Sequence, residues 1–201
     1  MNDNRSPGNI ALAVMDVQRT KPSYFAPDGV FIGGAQGFLD RLAHAIRLAR
    51  TSGMMVIHVA WCFRDGNPEV SPRNRLLSGF RTSGRLPAAP EFHPAVAPGP
   101  GEVIVTRSRV SAFTGSDFEV ILRAHAIDQL VLCGIATGGV VLATLLEAAD
   151  KDYQLTVLCD CCANVDEEVQ RTLLTKIFPR YADVLTVEEW GRSIPTFDES
   201  P

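Results

Sequence analysis

What the chain lacks narrows its role first. No apolar run among its 201 residues approaches the ~18–20 needed to cross a bilayer, so no membrane partner is expected. Charge of one sign is not in excess either: a net charge of −4 gives no electrostatic reason for binding nucleic acid or an acidic lipid surface. Neither a P-loop lysine nor a Gly-x-Gly-x-x-Gly turn is present, which leaves a nucleotide cofactor without support, and no other cofactor is implied. Five cysteines make an odd count without framework-like spacing, which suits reduced thiols. Cys159, Cys161 and Cys162 have no nearby His or Cys-x-x-Cys pair to complete a ligand set, so they read as core thiols and no metal is expected. The first eight residues are polar, lack the apolar segment of a signal peptide and are expected to be flexible, which points to the cytoplasm.

What is present is one alternating pattern over the whole length, and residues 1–201 read as a single domain. Ile10–Met15, Met54–Ala60, Val103–Thr106, Leu130–Cys133 and Leu155–Leu158 are short apolar runs, the mark of strands buried on both faces. Asp183–Val187 reads as a sixth. Between them, Phe38, Leu39, Leu42, Ala45, Ile46 and Ala49 recur at helical spacing. Further helices are expected over Ser116–Ala126, Val140–Ala149 and Asp166–Phe178, the first with Ser116 and the last with Asp166 as cap. The stretch from Trp61 to Gly101 reads as a long irregular segment, of the kind that serves as a functional loop. The fold expected is α/β: a three-layer, doubly wound, Rossmann-type domain with a mainly parallel sheet of about six strands.

In such a sheet, ligands bind beyond the carboxyl ends of the strands. Asp16, Trp61, Arg107, the Gly134–Val140 turn and Asp160 all follow such ends, so five segments would deliver side chains to one rim. Asp16 reads either as a general acid/base or as a carboxylate capping a loop, and Arg107 or Arg109 would be its cation. The glycines of the turn permit close approach by a ligand, or merely a tight strand–helix connection. Ser111, Thr137 and Thr144 lack a histidine base nearby in sequence, and His58 reads as a core histidine. Tyr24, Phe25, Trp61 and Phe113 are candidates for the walls of an apolar pocket, or plain core.

Three stretches taken together, Ala13-Val14-Met15-Asp16-Val17-Gln18, Arg107-x-Arg109-x-Ser111-Ala112-Phe113 and Gly134-Ile135-Ala136-Thr137 leading into Val140-Val141, resemble the isochorismatase-like cysteine hydrolase superfamily. Leu158-Cys159-Asp160-Cys161-Cys162-Ala163 matches as well, and the resemblance runs from about Ile10 to Val187. It implies an Asp–Lys–Cys site in which Asp16 is the Asp, Arg107 stands at the Lys and Val140 at the Cys. It also implies a cis bond between Ile135 and Ala136 and oxyanion donors at the amides of Ala136 and Val140; Tyr24, Phe25, Trp61, Phe113 and Thr137 are the residues expected to bind substrate. The metal-binding histidines of the family's nicotinamidases have no counterpart around Tyr24–Asp28 or Trp61–Asn67. Valine is no nucleophile and a guanidinium does not readily exchange a proton. The expectation is therefore a hydrolase acting on a small carbonyl- or carboxylate-bearing molecule, at a C–N or enol-ether bond, through Asp16 and water. The alternative is a catalytically silent member that keeps the pocket for binding or assembly. A homodimer or homotetramer is what the resemblance implies for quaternary state.

Overall fold

The computed structural model describes residues 9–19 and 34–194. Among them, six strands form one parallel sheet: β1 (Ile10–Met15), β2 (Met55–Trp61), β3 (Val103–Arg107), β4 (Gln129–Ile135), β5 (Gln154–Ala163) and β6 (Asp183–Leu185). Their spatial order is β3-β2-β1-β4-β5-β6. This is the doubly wound arrangement expected, and every residue of β1 is buried because it is flanked by β2 and β4 and covered on both faces. The chain leaves β1 toward β2 on one side and re-enters at β4 on the other. The gap between those two carboxyl ends is the topological switch point, where open α/β sheets bind ligands.

Helix α1 (Gly34–Thr51) buries all six of the apolar residues that its spacing singles out. It stops at Gly53, whose φ of +68° is cheap only for glycine. Helix α3 (Phe118–Ala124) begins later than expected. Asp117 occupies its N-cap position, whereas the Ser116 hydroxyl accepts from the Phe118 N–H (3.1 Å) and donates to the Ala112 carbonyl. Helix α4 (Leu142–Asp150) is preceded by a π turn over Thr137–Val141, so the sequence from Val140 is not a plain helix start. Helix α5 (Glu167–Thr172) is capped as expected by Asp166, whose carboxylate accepts from Val169 N (3.0 Å).

Two helices depart from the sequence reading. The segment after Trp61 is not irregular throughout: it contains α2 (Arg75–Thr82), capped by the Asn74 side chain on Leu77 N (3.0 Å). Buried Trp61, Phe63, Val70 and Leu77, with Phe80 and Leu86 against them, form a small second core there. The last strand stops at Leu185, and α6 (Val187–Ser193) follows through a capping box between Thr186 and Glu189. The strand expected over Asp183–Val187 is therefore shorter by two residues, because the Thr-x-x-Glu spacing starts a helix there.

Beneath β2 and β3 lies a charged network. Arg50 makes two bonds to Glu102 (2.7 and 2.8 Å), and Glu102 also accepts from Gly99 N (2.7 Å) and meets His58 Nε2 at 2.9 Å. The Arg50 contact is the main cause that holds the Glu102 carboxyl down at about 2. His58 is fully buried, and burial pushes its pKa below the ordinary value despite Glu102, so it is neutral and donates from Nε2. A histidine lowered on folding stabilises the fold above its unfolded pKa, and that contribution is lost as pH falls below about 6.5. His93, also lowered, acts in the same direction. Calorimetric Tm should therefore fall between pH 7 and 5, with a shallower slope in His58→Gln; an unchanged slope would remove His58 from this role.

Candidate functional site

At the end of β1 the chain turns sharply. Asp16 has a left-handed backbone (φ +58°), which short polar residues tolerate better than most but which still stores strain. Its N–H bonds Val59 O (2.8 Å) and its carbonyl accepts from Gln18 N (2.9 Å), so the backbone is tied on both sides. The side chain points to Arg107, the last residue of β3, and Arg107 Nη2 donates to Asp16 Oδ2. Both are almost sealed from solvent, at 1% and 5% exposure. Arg107 Nη1 donates to the Arg109 carbonyl, while Arg109 itself bonds Ser108 O (2.7 Å). The ambiguity between the two arginines is thus resolved in favour of Arg107.

The fourth strand brings the other half of the rim. Gly134 has φ +131°, and a Cβ there would overlap the carbonyl of Met15. No other residue lets β4 come this close to the end of β1, where Asp16 stands. The next peptide, Ile135–Ala136, is cis. Within the π turn, the Ala136 carbonyl accepts from Gly139 N (2.9 Å) and Val141 N (3.3 Å). Val140 is buried. Thr137 is fully buried, and its hydroxyl has no partner among the described residues; the same is true of Trp61 Nε1 and Arg107 Nε. Buried donors without partners are costly in isolation and available to a ligand. Trp61 lies beside Arg107, with the guanidinium carbon 5.7 Å from its ring centroid.

Other expected members are elsewhere. Tyr24 and Phe25 lie outside the described residues. Phe113 packs on Phe118 (4.9 Å) and Tyr153 (5.9 Å), with Lys151 over its ring (5.5 Å). Tyr153 precedes β5, at the amino end of the sheet, so Phe113 has a core role rather than a place on the rim. Asp160 does not follow β5 but lies inside it, where the register slips between Leu132 and Gly134. The slip directs Asp160 away from the rim: its Oδ1 accepts from Val187 N (3.0 Å) and its backbone carbonyl from Arg41 Nε (2.9 Å). Thr144 is occupied in accepting from Ala112 N (2.9 Å), and Ser111 in accepting from Phe113 N (3.2 Å). Two residues to which no role was given in sequence support the rim. Gln18 bonds the Trp61 backbone, and Asn164 accepts from Gly138 N (3.2 Å), steadying the glycine turn. Gln18 belongs to the stretch that carries the family resemblance, whereas for Asn164 the only signal is a polar residue just past an apolar run.

The buried thiols are poorly suited to catalysis. Cys133 donates to Ala13 O (3.4 Å), and burial pushes the pKa of Cys133, Cys161 and Cys162 well up, which leaves them protonated.

A family model, the isochorismatase domain, matches residues 11–189. The chain belongs to the isochorismatase family. Curated relatives of this isochorismatase-family chain include the phenazine biosynthesis protein PhzD1 of Pseudomonas aeruginosa, 32% identical over 190 residues (91% of this chain, 85% of that protein). The ureidoacrylate amidohydrolase RutB of Azorhizobium caulinodans is 30% identical over 202 residues (91% and 89%). Among solved structures, a cysteine hydrolase from Pseudomonas syringae pv. phaseolicola superposes with a TM-score of 0.82 at 24% identity, covering 94% of each chain. That likeness concerns the fold, which is shared nearly end to end.

The ion pair makes a stability prediction. Arg107→Met strands a buried carboxylate, which should cost about 3–5 kcal/mol in urea denaturation. Adding Asp16→Asn to it should restore part of that loss, since the two sites are coupled. A neutral Arg107→Met would show that the contact carries no weight.

Proposed function

We propose that this isochorismatase-family chain hydrolyses a small carbonyl- or carboxylate-bearing molecule at a C–N or enol-ether bond, without a covalent enzyme intermediate. The observation that carries this reading is the buried Asp16–Arg107 contact beside the cis-peptide turn at the switch point. Asp16 is the acid/base. Arg107 is its electrostatic partner, and Asp16 takes a proton from the attacking water and returns it to the leaving group. The amides of Ala136 and Val140 receive the negative charge developing on the substrate oxygen. Val140 stands where the superfamily's nucleophilic cysteine would be, and the high pKa of the buried thiols supports the non-covalent course. Trp61 Nε1 and the Thr137 hydroxyl, both without partners among the described residues, are the donors a substrate carbonyl or carboxylate would meet. Relatives named as ureidoacrylate and maleamate amidohydrolases support small amides as the substrates to try first.

A second reading, a silent member that binds without turnover, is favoured by one observation: the Val140 side chain is aliphatic and buried. Screening small amides, ureas and enol ethers against wild type, Asp16→Asn, Val140→Ala and Val140→Cys separates the two. Turnover is expected in wild type, lost by about 10²- to 10⁴-fold in Asp16→Asn and retained in Val140→Ala, each on protein with an unaltered circular dichroism spectrum. Equal activity of Asp16→Asn would defeat the assignment, and activity confined to Val140→Cys would establish the silent reading.

A further inference from the structure

Gln18 is fully buried two residues after Asp16, and its carboxamide makes both of its bonds to the backbone of one residue. Nε2 donates to Trp61 O (3.1 Å) and Oε1 accepts from Trp61 N (2.9 Å). This is the pairing of a peptide group in a sheet, made by a side chain. The regular register between β1 and β2 ends at Met15 opposite Val59 because Asp16 turns left-handed. The backbone around Gln18 is then used on another side, where Arg19 N bonds Glu91 O and His93 N bonds Val17 O (both 2.9 Å). Trp61 would lose its neighbour at that point, and the Gln18 side chain restores it. Trp61 in turn pairs with Arg107 across β2 and β3, and Cys62 N bonds Arg107 O (3.0 Å). The contacts close into a ring: Asp16 to Gln18, Gln18 to Trp61, Trp61 to Arg107, Arg107 back to Asp16.

We propose that Gln18 is a positioning residue that sets the relation of Arg107 to Asp16 by pinning Trp61, an inference that rests on Asp16 and Arg107 being the reacting pair. In a Trp190→Phe background, Trp61 is the only tryptophan and reports directly. Gln18→Leu keeps the bulk and removes both bonds; Gln170→Leu, which loses a bond to Cys162 O, is the matched control outside the ring. Gln18→Leu should red-shift Trp61 emission and remove its protection from acrylamide, and Gln170→Leu should not. Gln18→Glu should behave like Leu at pH 8, where a carboxylate cannot donate to Trp61 O. Near pH 5 it should recover, because a buried acid is protonated and can both donate and accept. Unchanged Trp61 protection in Gln18→Leu, or an equal change in Gln170→Leu, would overturn the pinning whether or not turnover is ever found. On a substrate that wild type hydrolyses, Gln18→Leu should lower kcat about 10- to 100-fold, with KM raised as well because Trp61 Nε1 is displaced along with Arg107. Loss of Trp61 protection with kcat intact would overturn the link between Trp61 and the Asp16–Arg107 pair.

Discussion

A buried carboxylate and a buried guanidinium hold each other in place at the carboxyl rim of the sheet. Burying either group without the other would cost more than a few hydrogen bonds return. Their contact depends on three strands ending in step: Met15 beside Val59, and Trp61 beside Arg107. It depends also on Asp16 taking a left-handed turn that aims its side chain across β2 toward β3. The ion pair is therefore as much a product of the sheet's register as of the residues that make it.

The sheet order puts this pair to use. Because β1 lies between β2 and β4, Asp16 reaches the arginine on one side and faces the glycine turn on the other. Gly134 permits the close approach of β4, and Asn164 from the end of β5 holds the turn from behind. A carboxylate, a guanidinium and the glycine turn are thus brought to one rim, and the proposed function rests on that arrangement. The Arg50–Glu102–His58 network lies below, ties the end of α1 to β2 and the start of β3, and titrates on its own terms.

The parts of the fold visible in sequence were those with a strong local period. The six buried positions of α1 and the apolar runs of the central strands are such cases, because burial on one helix face or both sheet faces leaves a repeating mark. The amphipathic α2 was hidden by the prolines, glycines and arginines around it, and its stabilising contacts are with Trp61 and Phe63, distant neighbours in the chain. Asp160 followed an apolar run as Asp16 did, yet a register slip between β4 and β5 sent it to cap α6 instead. Phe113 carried the same aromatic signal as Trp61 and went to the opposite end of the sheet. No local pattern separates these pairs.

By itself the sequence determined the alternation of strand and helix, the family, and the strand ends that carry Asp16 and Arg107, since these reside in residue types and their spacing. Tertiary structure decided which of two arginines meets Asp16, which aromatic residue stands beside it, and that the Gln18 side chain takes the place of a missing peptide. Those choices depend on strand register and on left-handed turns, and both are set by how distant segments pack rather than by the residues next to them in the chain.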